Sequence, residues 1–302
     1  MSNGCIVRAY RGSDGMKMYF GGRMSFAALD RGLVVAAVLA VTSLAFSFGT
    51  LAETSQMRQT SDSLEELYHH AQREFMRANY PLALEYMEHF IERSKTDKVS
   101  SEKLIIMIDR VGFVYLRVRH DPVKAIAFFK KIEKELEFSE EVSNVIEEWL
   151  GAAIEWQQFG TLPDDVKSPD KLFALGKSYF DKGEAKLHYP MDKSGNANFH
   201  IAASYLIPFI AQYDNHERIA DALLMMGRIR RHITLDPEYW TENFYLKEVI
   251  RRFPHTDVAQ QAYQALEESV HFGYSGSGGD STPPSMVRML KEYKSLADPA
   301  PK

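Results

Sequence analysis

Ten histidines, a short basic run and one cysteine are the side chains with most chemical reach in this 302-residue chain. Metal binding needs several ligands on one face. His69 and His70 are adjacent, and on a helix they point about 100° apart, so the two do not readily share one ion. Glu66 with His70, and Glu85 with His89, stand four residues apart and share a face, but such pairs are equally at home on a solvated helix. His216-Glu217 is followed by Arg218, Ile219 and Ala220, so the HExxH zinc pattern is absent. The glycines at 273–279, GYSGSGG, lack a following Lys-Ser/Thr and read as a linker rather than a phosphate loop. Cys5 is the only cysteine, which excludes a disulfide framework and a thiolate metal site. No cofactor and no metal are expected.

Arg228, Arg230, Arg231 and His232 form the densest basic cluster in a chain whose net charge is −5. The cluster reads as a solvated face or as a recognition point for an acidic peptide or a C-terminal carboxylate. The charge balance argues against a nucleic-acid partner. Glu268-Ser269 resembles the Glu-Ser of lytic transglycosylases. Only residues 270–302 follow it, too few for a lysozyme-like domain, and the Gly-Leu-Met-Gln element is absent. A cell-wall enzyme is therefore the remote alternative, and the expectation is a protein that is not an enzyme.

An apolar content of 45% with 25% charged residues belongs to a folded protein. Gly32 to Ala52 carries no charge, GLVVAAVLAVTSLAFSFGTLA, with Arg23 and Arg31 before it and small residues at its exit. This is the order of a secretory signal, and at about 20 residues it is also long enough to span a bilayer. Cleaved or retained, it places the remainder beyond the membrane. A periplasmic or other extracytoplasmic location is expected, with inner-membrane attachment if the segment is kept. Residues 1–31 form a leader, and Met24 offers a tidier start. Residues 53–62 read as a linker.

Beyond Ser61 nearly every segment has helical periodicity, and none alternates for long with period two. Ser63 and Glu66 make a capping box for a helix running to about Ala78. Asn79-Tyr80-Pro81 turns into a second helix. Further helices fall near 101–118, 121–137, 140–158, 168–183, 197–213, 216–233, 238–252 and 257–271. Residues 184–195 are the main polar interruption. After a linker at 273–284, residues 285–297 form an amphipathic helix, either a cap folded over the last repeat or a detachable partner-binding element.

Short helices in pairs with tight turns are the unit of an α-solenoid. Leu175-Gly176-x-x-Tyr179-x-x-x-Gly183 resembles the first-helix signature of the tetratricopeptide repeat: Gly176 admits the partner helix, Tyr179 fills the gap and Gly183 ends the helix. Weaker echoes involve Ala71 and Ala83, Gly112 with Tyr115 and Ala125, Leu150-Gly151, and Met226-Gly227. Phe253, Pro254, Thr256, Ala259 and Ala262 resemble the repeat turn of periplasmic tetratricopeptide proteins of the outer-membrane assembly lipoprotein and Tol-Pal coordinator families. The resemblance covers about residues 64–271. It implies an all-α solenoid of five or six antiparallel helix hairpins within residues 63–272. It further implies a groove, lined by first helices at Tyr68, Gln72, Lys177, Arg228 and Arg231, for a protein or peptide partner. The expected role is an assembly or accessory factor for an envelope complex. The alternative is a structural subunit of a membrane-attached complex, held by an uncleaved N-terminal helix.

Overall fold

The computed structural model describes residues 63–95, 99–189, 192–233, 242–277 and 279–300. The leader, the apolar segment 32–52, the linker 53–62 and the start of the helix expected at 238–252 lie outside them. No helix among the described residues is long and apolar enough to cross a membrane.

The protein is all-α. The described residues form eleven helices: α1 (Leu64–Met76), α2 (Tyr80–Arg93), α3 (Ser101–Gly112), α4 (Pro122–Glu135), α5 (Glu140–Phe159), α6 (Pro169–Lys186), α7 (Asn196–Gln212), α8 (Ile219–His232), α9 (Glu242–Arg252), α10 (Asp257–Tyr274) and α11 (Pro284–Ala297). The chain supplies its own start signals. Ser63 Oγ accepts from Glu66 N at 3.2 Å while Glu66 Oε2 accepts from Ser63 N at 2.7 Å. Asp121, Ser168 and Thr256 cap α4, α6 and α10 through their side-chain oxygens. Proline occupies the first turn of α2, α4 and α6, where its missing N–H goes unneeded. Three joints share one backbone device. Ala78, His120 and His255 are left-handed, with φ of 56°, 49° and 63°, and each stands two residues before the next helix.

Neighbouring helices pack in sequence except at α3–α4 and α5–α6, and several also pack with the next but one: α3 with α5, α6 with α8, and α8 with α10. Side chains tie alternate helices together. Lys103 of α3 reaches Glu65 of α1 at 2.6 Å, and Lys131 of α4 reaches Glu92 of α2 at 2.6 Å. The glycines of the repeat signature stand where helices touch. A methyl at Gly112 would meet the Trp149 ring at 2.3 Å, and one at Gly227 would meet Leu246 Cδ2 at 2.3 Å. Gly176 and Gly183 face Leu206 and Phe199 of α7 in the same way. Ala71, Ala83, Ala125, Tyr115 and Tyr179 are buried.

Four sequence expectations are corrected. Gly151 is exposed, with nothing within 4 Å of an added Cβ, because α5 turns its Trp149, Ala152, Ala153 and Trp156 face inward instead. Gly183 does not end α6, which continues to Lys186; Phe199 fills the space beside it and Gly195 lies on its carbonyl. The segment 101–118 is not one α-helix: after Gly112 it widens into a π-helix at Phe113–Val118, whose first four residues are buried. Residues 273–284 are not an open linker. α10 extends to Tyr274, Ser275–Gly276 pairs antiparallel with Gly279–Asp280, and His271 Nδ1 meets Asp280 Oδ2 at 2.7 Å. α11 then lies on α9 and α10 with Leu290, Tyr293 and Ala297 buried.

α7 occupies the middle. It packs on α6, α8, α5 and the π-helical turn, and all eleven residues from Asn196 to Leu206 are buried. A helix covered on every side has no solvent stripe, which accounts for its weak amphipathic pattern.

Candidate partner-binding face

The residues expected to line a groove separate into two groups. Tyr68 and Gln72 lie on α1. Tyr68 is buried rather than open: its ring packs on Phe90, with centroids 5.5 Å apart, and Lys103 Nζ lies 4.9 Å over it. Its aromatic bulk serves the α1–α2 contact, and Gln72 beside it is half-buried. Lys177, Arg228 and Arg231 lie on α6 and α8, where the surface is open.

Lys177 lines an open groove of about 700 Å³ with Asp170, Phe173, Asp181, Glu217 and Arg218. Its ammonium bonds both oxygens of Asp181, one turn along the helix, at 2.6 and 2.9 Å. Arg228 and Arg231 line a second groove of about 320 Å³ with Glu184, His188, Tyr189 and Glu268. Each guanidinium already has a carboxylate. Arg228 Nη2 donates to Glu184 of α6, and Arg231 Nη1 donates to Glu268 of α10 at 2.9 Å. Arg228 also lies 5.3 Å over the Phe180 ring, which holds its plane. Burial raises the Glu184 carboxyl above its ordinary value, against the opposing pull of Arg228. The basic run of the sequence is thus divided. Arg228 and Arg231 bridge neighbouring helices, while Arg230 points inward and is 4% exposed.

Sequence reasoning does not find Glu184, and meets Glu268 only as half of a Glu-Ser pair, because their arginine partners lie 44 and 37 residues away, beyond any local pattern. Tyr189, 61% exposed, is the aromatic at this groove. The turn that carries it is held at Asp192. The Asp192 carboxylate accepts from His188 N at 2.8 Å and from the Ser194 amide and hydroxyl at 3.0 and 2.5 Å. Burial works against its charge, but these bonds outweigh burial and hold it well below the usual carboxylate range. His232, against the same turn, stacks on Phe199, and burial lowers its pKa.

A second set of polar groups lies inside, around the start of α7, and sequence reasoning did not single it out. Asp109 of α3 accepts from Trp149 Nε1 at 2.8 Å and, more weakly, from Asn196 Nδ2 at 3.5 Å. Glu148 of α5 accepts from the Ala197 amide at 2.9 Å, closing a helix that lacks a side-chain cap of its own. His200 is fully buried between Trp149, stacked at 5.6 Å, and Phe113, edge-on at 5.2 Å. Burial, with Arg117 and Arg230 nearby, lowers its pKa to about 3 and keeps the ring neutral. Among the described residues no group of three or more His, Cys, Asp or Glu is arranged to hold a metal ion.

Compared with protein-family models, with curated proteins and with solved structures, the chain matches none.

Proposed function

We propose that this all-α protein is a non-enzymatic tetratricopeptide-like scaffold whose first helices bind a protein or peptide partner. On this reading the helices group as four hairpins, α1–α2, α6–α7, α8–α9 and α10–α11, with α3, α4 and α5 between them, where α4 packs on α5. One observation carries the reading. Helices α6, α8 and α10 are joined edge to edge by Glu184–Arg228 and Arg231–Glu268, and open grooves containing Lys177, Arg228 and Arg231 lie on that surface. The cations are positioned by carboxylates that an acidic peptide or a C-terminal carboxylate can replace. The recurring left-handed turn at Ala78, His120 and His255 supports a repeated unit. On this reading the apolar segment 32–52 exports or anchors the chain, and the partner belongs to a cell-envelope assembly.

The test is capture of partners from an envelope extract by the full chain and by an Arg228→Ala/Arg231→Ala variant whose fold is checked by circular dichroism. The variant is expected to lose at least about tenfold in captured partner, as for removal of central interface arginines. Equal capture by both removes this face from consideration. N-terminal sequencing of the exported protein tests the rest: a start near Glu53 means cleavage, and retention of Gly32–Ala52 means an anchor.

A further inference from the structure

An open cleft of about 330 Å³ runs between α9 and α11. It shares no lining residue with the grooves on α6, α8 and α10. α11 buries Leu290, Tyr293 and Ala297 against its neighbours. Met289, Tyr293 and Leu296 follow one another at four and three residues, so they form one stripe, and that stripe is the apolar side of the cleft. The stripe is fixed in place, because the Leu296 carbonyl accepts from His255 N at 2.8 Å. α9 supplies the other side with Lys247 and Arg251, one helical turn apart.

The two cations converge on one aromatic ring. Arg251 Cζ lies 5.2 Å and Lys247 Nζ 5.9 Å from the Tyr293 centroid. Like charges four residues apart on a helix repel one another. Burial, and then the Arg251 charge, hold Lys247 below its ordinary value, and among the described residues no carboxylate offsets either. Arg251 Nη1 stands 3.7 Å from Glu248 Oε1, too far for a hydrogen bond. Arg231 differs in this respect, since Glu268 accepts from it at 2.9 Å. Glu292, exposed, is the carboxylate in the lining. Tyr293 is 6% exposed, and its hydroxyl has no hydrogen-bond partner among the described residues. A concave surface of this size that joins convergent polar groups to apolar side chains suits a small molecule.

We infer that the α9–α11 cleft binds a small amphiphilic oxyanion, a carboxylate or phosphate on a short aliphatic chain, with the anion held by Lys247 and Arg251 and the chain laid along Met289, Tyr293 and Leu296. An oxyanion relieves the repulsion between the two cations, and a guanidinium can bind it through two parallel N–H groups. The chain covers Leu296, which is 37% exposed without it. A neutral chain gains only the apolar burial, and a bare anion gains only the charges. The cleft therefore distinguishes the amphiphile from both of its halves.

The experiment is isothermal titration calorimetry on the full chain with octanoate and octyl phosphate, against octanol and inorganic phosphate. At least one of the two amphiphiles should bind with a Kd of about 1 mM or tighter. Octanol and inorganic phosphate should each bind about tenfold more weakly or worse, for want of one half of the contact. The tighter of the two amphiphiles identifies the oxyanion. Lys247→Gln/Arg251→Gln keeps the side-chain stems and removes both charges, so it should weaken the amphiphile by about tenfold or more and leave octanol unchanged. Glu292→Gln removes the carboxylate from the lining and should tighten binding by about two- to threefold, a gain that no damage to the fold can imitate. Binding of neither amphiphile, equal binding of octanol or inorganic phosphate, undiminished binding by the double variant, or weakening by Glu292→Gln overturns the inference.

Discussion

The α8–α9 hairpin and the surroundings of α7 are made from helices of comparable length, yet they bury different things. α8 turns Leu223, Met226 and Ile229 inward and offers Arg228 and Arg231 to the surface. Its contact with α9 is apolar, with Gly227 against Leu246. α7 buries Asn196, Asn198, His200 and Ser204 along with its apolar residues. Among the described residues both polar atoms of the Asn198 side chain and both ring nitrogens of His200 lack a hydrogen-bond partner. Buried polar groups without partners cost about 1–3 kcal/mol each, so this is not the arrangement that stability alone selects. The hairpin is built to stack, and the centre is built to hold polar groups in a fixed place.

The sharpest way to break that comparison is at Trp149. Its ring is fully buried, lies against Gly112, stacks on His200 and donates to Asp109. Trp149→Ala removes the buried ring and all three contacts. We expect a loss of about 3–5 kcal/mol in denaturant-unfolding stability from the cavity and lost transfer energy. The orphaned carboxyl gives the loss a pH dependence, smaller where Asp109 holds a proton. A loss below about 1 kcal/mol at any pH would mean that the centre is loosely packed and that its polar contacts constrain nothing.

The difference between the regions also marks what the sequence makes legible. Caps and turns are local, so Ser63, Asp121, Ser168 and Thr256 announce helix starts that the structure contains. Amphipathic helices announce their buried face, and Gly112, Gly176 and Gly227 announce close approach. α7 announces little, because a helix covered on all sides gives no face to read, and its polar residues pass for solvent contacts. Gly183 misled because a glycine that ends a helix and one that admits a phenylalanine look alike in sequence. The Arg228 and Arg231 cluster was visible, but its carboxylate partners lie on other helices and follow only from packing. The repeat resemblance puts Tyr68 on an open groove, but the tertiary contact with Phe90 and Lys103 covers it.

A second expectation concerns acid. His200 titrates near 6.5 in the unfolded chain and at about 3 when folded. A depressed base destabilises the fold once the unfolded chain binds the proton, so stability is lost as pH falls below 6.5 towards 3. At pH 5 the loss from this one ring is about 2 kcal/mol. His200→Phe keeps the ring between Trp149 and Phe113 and removes the titration. Its unfolding free energy should therefore fall less than the wild type's between pH 7 and pH 5. Parallel wild-type and variant profiles would show that His200 carries a proton in the folded state and that the interior is wetter than its burial implies.

The smallest effect is the cleanest discriminator between stacking glycines and idle ones. Gly151 matched the repeat pattern as well as Gly227 did. It lies within α5, exposed, with open space where a side chain would stand. Glycine in a helix interior is destabilising by about 0.5–1 kcal/mol relative to alanine, because the unfolded chain loses more freedom on folding. Gly151→Ala should therefore raise stability by that amount, read from the denaturant midpoint at unchanged slope. The same change at Gly227 drives a methyl to 2.3 Å from Leu246 Cδ2 and 3.3 Å from its backbone nitrogen, so it should destabilise. Opposite signs at two positions of one motif would establish that packing against the next helix, rather than the motif itself, decides what each glycine does.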